Sequence, residues 1–330
     1  MIMTRIYYSI YGPFIVQFIA LKNSLGYKYK DVGTALALLD KLALEQQLAT
    51  VAITKELADT YALKRPNESE KTRYNRMQFF CQFARFLSDL GLSSYIPRLP
   101  RFTPTFVPYI FSQAQMQAIF SVCDALSPCC RNRRSAVFAL PFLIRLLYGT
   151  GVRINEALYL TLQDMHEYYF ILRMTKNGQD RMVPMSDSLA SVCKDYLTYR
   201  TLFIGAAKSD KLFILPDGKP LTSSAVYKWF RNILWMASIS HGGRGKGPRL
   251  HDLRHTFSVH SFAAMAKQGL DLYHCLPLLA TYLGHQSLEA TDGYVRLTAE
   301  MYPELIENAA AVAAGVFPQV NLTQQEDETH

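Results

Sequence analysis

Four separated segments of this 330-residue chain hold polar side chains at spacings that could do chemistry. In the first, Thr150-Gly151-Val152-Arg153-Ile154-Asn155-Glu156, a glycine turn delivers Arg153 to a predicted helix start. Backbone N–H groups and the helix dipole favour an anion there. The second is Lys176, an ammonium at the tip of a predicted hairpin. The third is His251-Asp252-Leu253-Arg254-His255. On a helix, His251 shares a face with Arg254, three residues on, and with His255, four residues on. The fourth is Leu283-Gly284-His285, followed nine residues later by Tyr294. Singly, each has a plain explanation: surface cations are usually solvated, a helix histidine is usually structural, and Tyr294 is one of 20 tyrosines.

The elements that must position these residues read out of the hydrophobic pattern. The first hundred residues are helical, with apolar side chains at three- and four-residue spacing over Val32 to Gln47 and Thr72 to Leu90. In the second of these, Phe79, Phe83, Phe86 and Leu90 are expected to form the buried stripe. Lys71, Arg73 and Arg85 lie off that stripe, Arg76 sits at its edge, and Gly91 ends the helix. Pro97, Pro100, Pro104 and Pro108, with Arg98 and Arg101 between them, exclude helix and central strand. They predict a basic linker over 97–108. Beyond it, Arg134 to Tyr148 is a strongly apolar predicted helix, broken at Gly149-Thr150-Gly151 and restarted at Arg153. Tyr168 to Met174 and Arg181 to Met185 read as two strands around an Asn-Gly turn. Helices follow, separated by the Gly-rich loop from His241 to Pro248. The fold class expected is mainly α with a small β-hairpin.

Charge points to a polyanionic partner. The chain carries a net +8 and a pI of about 9.1. Residues 1–107 hold 14 Lys/Arg against 8 Asp/Glu, whereas residues 300–330 hold none against 6. Two basic bodies with an acidic end suit a protein that wraps a polyanion. A mean hydropathy of +0.01 with 49% hydrophobic residues excludes a disordered or collagen-like chain. The most apolar stretch, Ala136 to Leu147, is too short for a membrane span and carries Arg145. Pro13 and Gln17 interrupt the apolar run near the start, and no small-residue cleavage site follows, so secretion is not expected. The 6 cysteines show no paired C-x-x-C spacing, which suits a reducing cytoplasm.

Together the four segments resemble the tyrosine recombinase (phage integrase) family. Thr150 to Glu156 is similar to its first-arginine box, His251 to Phe257 to its His-x-x-Arg box, and Leu283-Gly284-His285 with Tyr294 keeps its order and interval. Lys176 falls in the hairpin where the family keeps a catalytic lysine. The resemblance implies a two-domain DNA clamp, with a helical core-binding domain at 1–96 and a linker at 97–108. A catalytic domain at 109–300 and a C-terminal helix with an acidic tail at 301–330 complete it.

The implied activity is site-specific recombination through a 3′-phosphotyrosine, without metal, ATP or other cofactor. Arg153 and Arg254 would clamp the scissile phosphate with forked donors that Lys cannot reproduce. Tyr294 would attack, His251 accept its proton and Lys176 protonate the leaving 5′ oxygen. His285 would hydrogen-bond the phosphate or support Tyr294, and Glu156 would orient neighbouring side chains. Arg73, Arg76, Arg98, Arg101, Arg244 and Lys246 are candidate contacts to DNA. The implied partners are double-stranded DNA at specific sites, further copies of the chain in a tetramer, and sister recombinases or accessory proteins. The expected setting is a cytoplasmic, nucleoid-associated one. With no arm-binding segment apparent at the N-terminus, a simple or transposon-type enzyme is expected. The segment Leu305 to Phe317 reads as a helix that docks on a neighbouring subunit or packs on its own.

Three rivals remain. A metallohydrolase would read His251 to His255 as a zinc helix, but Asp252 stands at the general-base position and no third ligand is evident. A silent accessory DNA-binding protein would not need every catalytic position filled. A type IB topoisomerase would keep the chemistry and change its outcome. The Gly-rich loop is not a P-loop, since no Ser or Thr follows Lys246.

Overall fold

A computed structural model describes residues 5–27, 32–102, 107–126, 136–173, 175, 178, 180–204, 209–243, 247–285 and 287–302. The chain divides into two compact units, Met1–Phe106 and Val107–His330. Lys176, Arg244, Lys246 and the expected helix from Leu305 to Phe317 lie outside the described residues.

The first unit is built from α1 (Gly12–Ser24), α2 (Val32–Glu45), α3 (Lys55–Ala62) and α4 (Glu70–Asp89). Pro13 stands in the first turn of α1, where its missing N–H costs nothing. The hydroxyls of Thr54 and Ser69 cap α3 and α4 by accepting from Leu57 N and Thr72 N. Tyr11, Ile15, Phe18, Leu36, Leu39, Phe80, Phe83 and Leu87 form a dry core between α1, α2 and α4. Buried Asp40 ties the entry to α1, accepting from Ser9 N (2.9 Å), Ser9 Oγ (2.6 Å) and Tyr8 N (3.0 Å).

The register of α4 differs from the sequence expectation. Its buried face runs through Arg76, Met77, Phe80, Phe83, Ala84 and Leu87, while Phe79 and Phe86 are half-buried and Leu90 is exposed. Adjacent aromatics at 79 and 80 allow two apolar stripes, and only the packing partners choose between them. Arg76 is thereby corrected as a DNA contact. It is 5% exposed, pairs with Glu68 through Nε (2.8 Å) and Nη2 (2.8 Å), and donates to the carbonyls of Tyr61 and Leu63. Its work is to pin the turn between α3 and α4. Arg73 is partly tied as well, donating from Nε to Ala62 O at 2.9 Å.

After α4, Phe102 packs on Tyr74 and beneath the Lys71 ammonium, and Cys81 Sγ donates to Pro97 O. Residues 97–102 and 107–108 carry neither helix nor strand, and Arg98 and Arg101 are exposed.

The second unit holds α5 (Gln113–Ala125), α6 (Leu140–Thr150), α7 (Ile154–Tyr159), β1 (Tyr169–Leu172), β2 (Arg181–Pro184), α8 (Asp187–Ile204), α9 (Ser223–Met236), α10 (Asp252–Lys267), α11 (Leu272–Leu283) and α12 (Glu289–Met301). The strands form an antiparallel hairpin with Leu172 opposite Arg181. This is the mainly helical fold with a small hairpin that the sequence implies. Helix α6 buries Leu140, Phe142, Leu143, Ile144, Leu146 and Leu147, and α10, α11 and α12 pack on one another beside it. Contrary to the expected break at Gly149, α6 runs through that residue and stops at Gly151, which takes a left-handed φ of 62°. A Cβ there would also lie 2.4 Å from Phe257 Cδ1. No helix among the described residues is long and apolar enough to cross a membrane.

Removing one partner of a buried ion pair strands the other. Arg76→Met is therefore expected to lower stability by about 3–5 kcal/mol, measured as a shift in urea midpoint. A change within about 0.5 kcal/mol, the range of surface substitutions, would contradict the structural role.

Candidate active site

Helix α10 is the backbone of the site. Arg254 projects from its first turn and is 2% exposed. Its Nη1 donates to Gly151 O at 2.7 Å, and its Nη2 donates to Leu283 O at 2.8 Å and to His285 Nε2 at 2.9 Å. Gly151 caps the C-terminus of α6 and Leu283 ends α11, so the guanidinium sits against two helix C-termini. The negative ends of both dipoles favour a cation there. Burial, and then the like charge of Arg153, push its pKa down to about 10, which leaves it charged at neutral pH.

His285 follows Gly284, which takes a left-handed φ of 67° and on which a Cβ would also meet Arg181 Nη1 at 2.8 Å. Arginine can only donate, so His285 Nε2 accepts from Arg254. The ring proton then lies on Nδ1, which donates to Thr291 Oγ1 at 2.7 Å. Burial, then Arg254 and Arg153, lower the His285 pKa to about 4, so the ring is neutral.

Arg153 caps α7 and is half-buried. The expected vacancy for an anion at this helix start is filled by the chain's own Glu156, whose carboxylate accepts from Arg153 N (3.0 Å) and Arg153 Nη1 (2.7 Å). Arg181, from the start of β2, donates from Nη2 to Glu156 Oε2, the oxygen that also accepts from Arg153 N, at 2.9 Å. Burial raises the Glu156 pKa, but the hydrogen bonds and charges of Arg181 and Arg153 outweigh it and hold the carboxyl below its ordinary value.

Tyr294 lies on α12 and is 6% exposed, turned inward against its own chain. Its Oη is 2.8 Å from His255 Nδ1. The imidazole at hydrogen-bond distance from the phenol belongs to His255, one turn along α10 from His251, the base expected from the sequence. His251 stands exposed at the head of α10 with its ring edge-on to that of His255. Crowding of its ring, then the charges on Arg254 and Arg153, lower its pKa. Cationic surroundings by themselves ease ionisation of a phenol. Burial instead raises the Tyr294 pKa overall, although Arg254, the Ser258 hydroxyl and Arg153 pull the other way.

The structure thus gathers Arg153, Glu156, Arg254, His285 and Tyr294, with His251 alongside. Sequence reasoning missed His255, Arg181 and Thr291. The four-residue step from His251 to His255 was a signal for the first, whereas nothing local marks the pairing of Arg181 with Glu156. Among the described residues, no group of three His, Cys, Asp or Glu is placed to hold a metal ion.

A helical unit with this arginine, histidine and tyrosine constellation belongs to a known class. The sequence profile of the phage integrase family matches residues 110–301. Over 305 residues the chain is 30% identical to y4rB of Sinorhizobium fredii, named as an integrase/recombinase, covering 90% of this chain and 96% of that protein. It is 30% identical over 168 residues to tyrosine recombinase XerD of Corynebacterium glutamicum, covering 51% of each. Among solved structures it is similar to the Tn1549 transposon integrase in complex with circular intermediate DNA. The TM-score is 0.63 at 19% identity, covering 85% of this chain and 94% of that one. It is also similar to a lambda integrase tetramer bound to a Holliday junction, with TM-score 0.61 at 16% identity over 87% and 77% of the two chains. The chain belongs to the phage integrase family of tyrosine recombinases.

The depressed Glu156 pKa fixes a sign. The carboxylate contributes stability above its unfolded pKa of about 4.3 and loses it as pH falls through the lower folded value. Glu156→Gln is expected to cost about 3 kcal/mol at neutral pH, and its deficit relative to wild type to shrink in acid. Urea midpoints at the two pH values check this.

Proposed function

We propose that this chain is a site-specific DNA recombinase that cuts and rejoins DNA through a 3′-phosphotyrosine on Tyr294, supplied in cis. One observation carries the reading: segments up to 144 residues apart, from Thr150 to Tyr294, converge on one buried guanidinium and one buried phenol. Attack on a phosphodiester builds charge on its non-bridging oxygens, and Arg254 and Arg153 are the permanent cations beside them. The contacts to Gly151 O and Leu283 O anchor Arg254. The donor now spent on His285 is one that a phosphate oxygen can take over. His285 then faces the same phosphate, His251 meets the DNA at the mouth of the site, and Glu156 with Arg181 holds Arg153 in place.

Lys176 is the proposed acid for the leaving 5′ oxygen. The phosphotyrosine keeps the bond energy of the phosphodiester, so neither ATP nor a metal ion is required, and a second 5′-hydroxyl reverses the step. Residues 1–96 are the proposed core-binding domain and 109–300 the catalytic domain, joined by the linker at 97–108. Exposed Arg98 and Arg101, half-buried Arg73, and Arg244 with Lys246 in the Gly-rich loop are the proposed phosphate contacts. A tetramer on two duplexes, with a dimer per site, is the proposed assembly, supported by the likeness to a lambda integrase tetramer on a Holliday junction. A mobile-element role, acting on DNA in the nucleoid, is the proposed biology; the transposon integrase likeness supports its first part.

Incubation with nicked duplexes tiled across the DNA flanking the gene, without metal, should give an SDS-stable adduct mapping to Tyr294. Tyr294→Phe should abolish the adduct and leave DNA binding intact. Binding with no adduct on any duplex would instead indicate a silent accessory protein. Arg254→Lys keeps the charge but loses the fork, and should cut the adduct rate by about 10²-fold or more. A wild-type rate in that variant would defeat the clamp.

A further inference from the structure

Half-buried His255 and buried Asp252 on α10 have no task in the scheme above. His255 is neither at the surface nor merely packed: its side chain is 15% exposed and its Nδ1 lies 2.8 Å from Tyr294 Oη. On its far edge, Nε2 is 4.0 Å from Oδ1 of Asp252, which is 2% exposed. Among the described residues that Oδ1 is a buried oxygen with no hydrogen-bond partner of good geometry, whereas Oδ2 of the same carboxylate accepts from Arg249 N at 2.7 Å and the Tyr109 backbone N–H also acts on the carboxylate. An orphaned carboxylate oxygen inside a protein is costly. A gap of 4.0 Å is too long for a hydrogen bond, but closing it needs a shift of only about 1 Å. The facing carboxylate favours the tautomer with its proton on Nε2, which leaves the Nδ1 lone pair directed at the phenol.

Resting on the recombinase reading, we propose that His255 is the catalytic base that accepts the Tyr294 proton, with Asp252 as the residue that positions its ring and supports its charge. As the Oη–P bond forms, the Oη–H bond breaks and its proton passes to His255 Nδ1. The P–O5′ bond breaks with its electron pair on the 5′ oxygen, which takes a proton from Lys176. In the rejoining step the imidazolium returns its proton to the departing Tyr294 oxygen.

The groups that face His255 are Tyr294 from α12, His285 from the loop before it, and His251, Asp252 and Arg254 from its own helix. Without DNA, burial first, then the interactions with His251, Arg254 and His285, lower its pKa to about 3, so the resting ring is an unprotonated acceptor. The negative charge of an entering phosphate offsets part of the positive charge of Arg254 and Arg153, which favours the imidazolium at the moment it forms.

The test is single-turnover adduct formation on the nicked site, followed across neutral pH. His255→Asn keeps a hydrogen-bonding group near the Nδ1 position but cannot take a proton. It should cut the rate by about 10²–10⁴-fold with DNA affinity unchanged. Its remaining rate should climb with pH as solvent ionises the phenol, a slope that wild type lacks. Imidazole in the buffer should accelerate His255→Gly and not wild type. Asp252→Asn should show a smaller loss with the same change of pH profile.

A wild-type rate and profile in His255→Asn would overturn the proposal. So would a loss with an unchanged profile and no imidazole rescue, which would make His255 a packing residue. The pH slope arising in His251→Asn instead would return the base role to His251. An adduct that persists in Tyr294→Phe marks a different failure, that of the nucleophile assignment itself, and the proposal falls with it.

Discussion

A buried guanidinium without a carboxylate partner among the described residues organises the second unit. Arg254 gives its hydrogen bonds to two carbonyls and an imidazole, and no described carboxylate lies within ion-pair distance of it. What keeps the charge tolerable is its seat at the C-termini of α6 and α11, where two helix dipoles end on the same cation. That seat dictates much around it. Gly151 must be left-handed to turn its carbonyl inward, α11 must stop at Leu283, and α10 must run beneath both.

Comparison with Arg76, another buried arginine, makes the contrast plain. Arg76 in the first unit is matched by the Glu68 carboxylate and two carbonyls, so it is a finished structural joint. Arg254 has hydrogen bonds but no anion. A site that holds a cation dry and unmatched gains most when an anion such as a phosphodiester arrives, because the attraction is strongest where water is excluded. Arg153 differs again: Glu156 already neutralises it in part, and Arg181 shares that carboxylate.

The same cationic, desolvated setting explains the histidines. His255 and His285 are both held neutral by burial first and neighbouring positive charge second. Neutral rings can accept as well as donate, and each is given direction by a fixed partner: Arg254 sets the tautomer of His285, and the carboxylate of Asp252 faces His255.

The sequence by itself marked five of the residues that meet at the candidate site, and the class of the fold. Arg153, Glu156, Arg254, His285 and Tyr294 were legible because each sits beside a local marker, a glycine turn or a fixed interval along one helix. The helices, the hairpin and the proline-rich stretch were legible because periodicity and ring constraints act between near neighbours in the chain. Tertiary structure alone decided which face of α4 is buried, and so turned Arg76 from a surface cation into an interior one. Only it decided that α6 continues through Gly149, that Arg181 meets Glu156, and that His255 rather than His251 reaches Tyr294. In each case the deciding contact joins residues on different elements, and the energy of burying one face over another depends on a partner that no local pattern names.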